Sequence, residues 1–191
     1  MISIVALLLS ILMPSLGKAR KQAQQVVCMS NLKQMGVLIT MFGQDHDNQF
    51  WSGWHAGYQD KEWMVELYYY DKNLPTMVKC PTTKKVWNGE KDGTFGMWTA
   101  GPAKKSIHFP SPPVREDFPV MYGSYAVNWL VSNVPADVTP FGGFQPADFI
   151  RRMDVSGSSR VPVLVDGNFW LTRPGIYDTP ADYKGQVPFY R

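Results

Sequence analysis

Three histidines, two cysteines and charge at only 18% of positions leave this 191-residue chain short of the usual materials of catalysis and metal binding. His46, His55 and His108 have no metalloprotease spacing, although His46 and His55 share a loop neighbourhood that leaves a weak metal site open. Cys28 and Cys80 are too few and too far apart for a zinc cluster or a Cys-x-x-Cys redox pair. No Gly-x-Ser-x-Gly frames a nucleophile, and Ser156-Gly157-Ser158 and Gly123-Ser124 read as turns. Gly142-Gly143 lacks the lysine and serine of a phosphate loop. Asp166-Gly167-Asn168 follows an apolar strand and reads as a turn before it reads as a catalytic carboxylate. The expectation is a protein without catalytic residues, cofactor or resident metal, and not an enzyme. A net charge of +3 is too small and too evenly spread to indicate a nucleic-acid partner. Nothing repeats with a fixed period.

What the chain does have is a long apolar beginning. Met1 to Leu16 carries no charge. As a helix it rises roughly 24 Å, short of the roughly 20 residues that span about 30 Å of hydrocarbon. A signal-peptide core, a buried helix and the remainder of a longer membrane helix all fit that length. A signal peptide wants a basic stretch before the apolar run and a break after it. Here the helical pattern continues instead. Cys28, Leu32, Met35, Ile39 and Phe42 recur at steps of four and three, with Lys33, Gln34 and Thr40 off the stripe. Gly43 and the polar residues after it make a natural stop. One helix over residues 2 to 43 follows, with Pro14 as an internal kink that membrane helices tolerate. A helix starting afresh after Pro14 is the alternative.

Three regions result: a membrane-embedded segment (1–16), its amphipathic continuation (17–43) and a globular head (44–191). Asp45, Asp47 and Asn48 supply oxygens that suit calcium, but the glycine and distant glutamate of an EF-hand loop are missing and a helix-end turn looks the same. The stretch Lys61 to Tyr70 has helical spacing at Trp63, Leu67 and Tyr70 and is expected to pack on the long helix. Short strands are expected at Thr94–Thr99, Gly123–Val131 and Val161–Val165, separated by proline-rich connections. The fold class is therefore α+β, with an antiparallel sheet laid on the second half of the long helix. The seven tryptophans and nineteen Tyr and Phe residues fill cores and turns or line a binding surface. Cys28 and Cys80, beside an export or membrane signal, read as one disulfide in an oxidising compartment, with two separate buried thiols as the alternative.

Leu12-Met13-Pro14-Ser15-Leu16, Lys18-Ala19-Arg20 and Cys28-Met29-Ser30-Asn31-Leu32-Lys33-Gln34-Met35-Gly36 together resemble the type IV prepilin-like proteins with an N-terminal cleavage and methylation site. The resemblance covers the helix strongly. In the head it rests on scattered points: Cys80-Pro81, Gly123-Ser124-Tyr125 and Val161-Pro162-Val163-Leu164-Val165-Asp166-Gly167. It implies a pilin-like fold and a Cys28–Cys80 disulfide. It also implies a structural role as a pseudopilin or minor pilin in a type II secretion or type IV pilus-like filament. The partners would be other pilin or pseudopilin subunits, met through the N-terminal helix at small positions such as Ala6 and Ser10, and the inner membrane. The location implied is a single pass of the inner membrane with the head in the periplasm, or an assembled envelope filament.

Departures are equally specific. The family's Gly-Phe-Thr-Leu-Ile-Glu processing site is absent, so the chain is expected to start several residues inside the mature helix, and Arg191 is expected to be an early end. Where many such proteins carry a histidine ten residues before the Asp-Gly, this chain has Ser156. Lys18, Arg20 and Lys21 follow the apolar run, which alone would keep the head in the cytoplasm. With a basic leader restored, these three meet lipid headgroups or neighbouring subunits. The rival reading is a membrane-tethered envelope protein whose exposed aromatics grip a glycan or peptide.

Overall fold

The computed structural model describes residues 2–53, 62–83, 85–86, 96–100, 118–140, 144–167 and 171–172. Helix α1 (Ile2–Asp45) holds 44 residues and is about 66 Å long at 1.5 Å per residue. It runs unbroken through Pro14, so the chain forms one helix and does not start a second after the proline. Pro14 has no amide hydrogen to give the preceding turn, and Ser15 Oγ donates to the Leu12 carbonyl at 2.8 Å.

The end of α1 differs from the sequence expectation. Gly43 does not stop the helix; it is buried inside it, and a Cβ there would collide with Met153 Sδ. The stop comes from Asp47 and Asn48, whose φ angles of 52° and 58° are left-handed. The Asn48 amide donates back to the Gly43 carbonyl at 2.7 Å, the six-to-one bond of a Schellman ending.

The stripe on the second half of α1 becomes the core. Met35, Leu38, Ile39 and Phe42 are buried, Cys28 and Leu32 pack at the margin, and Lys33, Gln34 and Thr40 are exposed. Helices α2 (Trp63–Tyr70) and α3 (Leu74–Met77) pack on this face. They add Trp63, Met64, Val65, Leu67, Leu74 and Met77, all buried. Each large side chain so buried contributes about 1.5–3 kcal/mol by leaving water. Lys61 lies outside the described residues, and α2 begins after Glu62.

The β portion is two small sheets, each of three strands. In one, β1 (Lys85–Val86) runs parallel to β2 (Gly96–Ala100), and β2 runs antiparallel to β3 (Met121–Gly123). In the other, β4 (Tyr125–Asn128) lies between β5 (Leu164–Asp166), antiparallel, and β6 (Leu171–Thr172), parallel. The layout is α+β, as the sequence indicates, but the sheets are mixed and not a single antiparallel one.

Hydrogen bonds outside the ladders break the strands. The expected Gly123–Val131 strand is interrupted at Ser124, whose amide donates to the Val78 carbonyl at 2.8 Å. It ends at Asn128, whose Oδ1 accepts the Leu130 amide at 3.1 Å, an Asx turn. Asn128 Nδ2 also donates to the Pro162 carbonyl at 3.0 Å, which pins the approach to β5. β5 starts later than expected because Ser158–Arg160 form a single 3₁₀ turn entered through Gly157, φ 78°.

Since Asp47 holds a left-handed backbone at a cost that glycine does not bear, Asp47→Gly should stabilise the full chain in detergent by about 1 kcal/mol. Urea titration followed by tryptophan fluorescence reads this as a raised midpoint. A lowered midpoint would mean that the aspartate side chain does more than turn the chain.

Candidate functional site: the long helix and its junction with the head

The described side chains of the first half of α1, at 8–10 and from 12 onward, are bare. Leu8, Leu9, Leu12, Met13 and Leu16 are 55%, 46%, 57%, 67% and 71% exposed. Val26, Val27, Met29, Val37 and Met41 are exposed further along. Among the described residues, every large exposed hydrophobic side chain lies on this one helix. Scattered apolar residues on a surface need no explanation, but a contiguous run marks contact with lipid or protein. By length and composition α1 is able to be a membrane span or a signal segment.

The junction begins one turn before the core. Asn31 Nδ2 donates to the Lys79 carbonyl at 3.0 Å, tying the helix to the segment that carries Cys80. Cys28 lies three residues before Asn31 on the same side of the helix. Cys28 and Cys80 are both half-buried and pack against the same core. No disulfide is present among the described residues; Cys80 Sγ lies 2.9 Å from Thr82 Oγ1. The two stretches are thus neighbours, and the expected bond is not made.

Ser124 is the knot of the head. Its Oγ accepts the Cys80 amide at 2.6 Å, its amide donates to Val78, and its carbonyl accepts the Gly167 amide at 2.8 Å. Three separate sequence segments therefore meet at one buried serine: Cys80-Pro81, Gly123-Ser124-Tyr125 and the run ending Asp166-Gly167. The sequence reading took Gly123-Ser124 for a turn and attached no role to Asn31. A small polar residue between two strand-like stretches was the only available signal.

At the far end of α1 the rings of Phe42 and His46 stack at 4.0 Å, and His46 Nδ1 lies 2.8 Å from the Phe42 carbonyl. Tyr70 donates its hydroxyl to Asp45 Oδ2 at 3.0 Å. Burial first, and then this bond to Asp45, push the Tyr70 phenol above its ordinary value. Asp45 is therefore engaged with α2, while Asp47 and Asn48 turn the chain. Among the described residues no three His, Cys, Asp or Glu side chains converge to hold a metal. His55 and His108 lie outside the described residues, as do Gly142, Gly143 and Asn168.

Asp166 pairs with Tyr125 in the sheet, and Ser158 opens the 3₁₀ turn. A cavity of about 270 Å³ opens between α1 and the 150–164 stretch, lined by Gly36, Ile39, Phe50, Ile150, Val161 and Leu164 among others. Its charged neighbour Arg152 is held by Asp154 at 2.7 Å. This surface pair holds the arginine above, and the aspartate below, its ordinary value.

No family model, curated protein or solved structure matches this chain.

If Cys28 and Cys80 join in an oxidising compartment, closing the loop between them would stabilise the head by about 4 kcal/mol in the chain-entropy model. Peptide mass spectrometry of exported protein under nonreducing conditions should then yield a Cys28–Cys80 linked peptide. Two alkylated thiols from the same material would contradict it.

Proposed function

We propose that the chain is a structural, pilin-like subunit, not an enzyme. In this reading it is a pseudopilin or minor pilin of a type II secretion or type IV pilus-like filament. The single observation that supports this best is the division of α1. One helix leaves Leu8, Leu9, Leu12, Met13 and Leu16 bare while its second half forms the wall of the head core. A soluble domain gains nothing from such an extension, since each exposed leucine forgoes about 1.5–3 kcal/mol of burial.

The mechanism is mechanical. In the inner membrane, lipid covers the bare half while the head stays in the periplasm. On assembly, the same surface exchanges lipid for the equivalent helices of other copies. Within hydrocarbon that exchange is nearly neutral in hydrophobic energy, so close packing at small positions decides it. Ser10 is exposed on this half and suits such an approach. If each copy offers one surface to the next copy's different surface, the contact does not close and a filament grows.

The tethered aromatic binder draws less support. Trp51 and Trp63 are buried in the core. The half-buried rings of Tyr68 and Tyr69 are covered by the Lys72 ammonium, 4.0 Å and 4.1 Å from their centres.

Cross-linking separates these readings. Cysteines placed at Ser10 and Leu16 are about 9 Å apart along the helix and should, on oxidation in membranes, give a ladder of trimers and larger species. Dimers alone would indicate a closed twofold pair, and monomers alone would favour the tethered binder.

A further inference from the structure

Lys18, Arg20 and Lys21 are exposed, and among the described residues none of them makes an ion pair. They lie directly after the bare apolar run that ends at Leu16. Along the axis they occupy about 4.5 Å of rise; around it, Lys21 is about 60° and Arg20 about 160° from Lys18. The two offsets run in the same sense, so the three cations fan over an arc of about 160°, a little under half the circumference, at one level. A planar interface crossed by the helix meets all three at one depth, next to the apolar run it has just buried.

The surroundings fit the same depth. No acidic residue precedes Asp45 in the sequence, so nothing on α1 neutralises the three charges. Asp45 is about 36 Å along the helix from Lys21, far beyond the screening length of about 8 Å at physiological salt. A headgroup layer is about 5–7 Å thick on each side of the hydrocarbon, which matches the rise of the cluster. Gln24, the first half-buried residue beyond the cluster, comes about 4.5 Å further on, and Cys28, at the margin of the core, about 10 Å on. The head core would then clear the headgroups without entering them. Lys33, also exposed, sits about 18 Å beyond Lys21 and outside that layer.

We propose that Lys18, Arg20 and Lys21 form a collar that binds anionic phospholipid headgroups and so sets the depth of α1. The collar rests on the membrane-anchored reading above and adds to it a lipid class and a position. In a neutral bilayer the apolar segment still inserts, but its depth is less sharply defined. Anionic lipids gather around the helix in the leaflet next to the head, and are shed when the subunit leaves the membrane.

The test uses the full chain reconstituted in phosphatidylcholine bilayers with trace spin-labelled phosphatidylglycerol or spin-labelled phosphatidylcholine. The motionally restricted fraction of each label gives their relative association. At low salt the anionic label should be favoured about fivefold, and the preference should fall toward parity in molar salt. Lys18→Gln, Arg20→Gln and Lys21→Gln together should bring the ratio to one, while Lys33→Gln should leave it unchanged. Equal association of both labels with the native chain would overturn the collar while leaving the membrane anchor standing. An equal loss from Lys33→Gln would also overturn it, since position would then not matter. No restricted component for either label would overturn the membrane reading, and the collar with it.

Discussion

The seating of Met35, Leu38, Ile39 and Phe42 in the head core is the constraint on which the rest of the structure depends. Those four buried positions fix the rotation of α1, and a continuous helix transmits that rotation along its whole length. Once they are seated, Lys33 and Gln34 must face water, Asn31 must meet the Lys79 carbonyl, and Cys28 must lie at the edge of the core. The bare half has no such freedom of choice either. It continues from the head in the same helix, and Leu8, Leu9, Leu12 and Leu16 remain outside the core.

The head is closed by hydrogen bonds that are few but central. Ser124 joins the Cys80 segment to the turn between β3 and β4 and to the end of β5, and Asn128 joins β4 to the approach of β5. Both are buried, so each of their bonds costs more to lose than an exposed one would. The helix terminus is held similarly, through Tyr70 on Asp45 and through Met153 packed over Gly43. Between these two fastenings the apolar face of α1 has little room to shift.

Much of this was legible in the residues because helix periodicity is a strong local signal. The stripe from Cys28 to Phe42, the continuity through Pro14 and the second helix at Trp63 could all be read from spacing. The strand edges could not. Whether Gly123–Val131 is one strand or two depends on Ser124 and Asn128 finding partners some 40 residues away in sequence, and no local propensity encodes that. Gly43 misled for a related reason. A glycine at a helix end suggests a cap, but here the distant Met153 side chain claims the space a Cβ would need. At the site, the apolar run followed from the sequence. Asn31 and Ser124, which hold the junction, did not. The parallel pairing of β4 with β6 belongs with them, since Val127 and its partner Leu171 are far apart along the chain.

The central claim is that one unbroken helix is shared between lipid and protein. Hydrogen exchange on the full chain in phospholipid nanodiscs, resolved by peptide mass spectrometry, tests it most directly. Backbone protected by hydrocarbon or by the core should exchange slowly, and exposed helix between them faster. Two slow blocks are predicted, over residues 2–16 and 35–42, separated by a faster stretch at 17–27. Rapid exchange over residues 2–16 in the presence of lipid would contradict the claim.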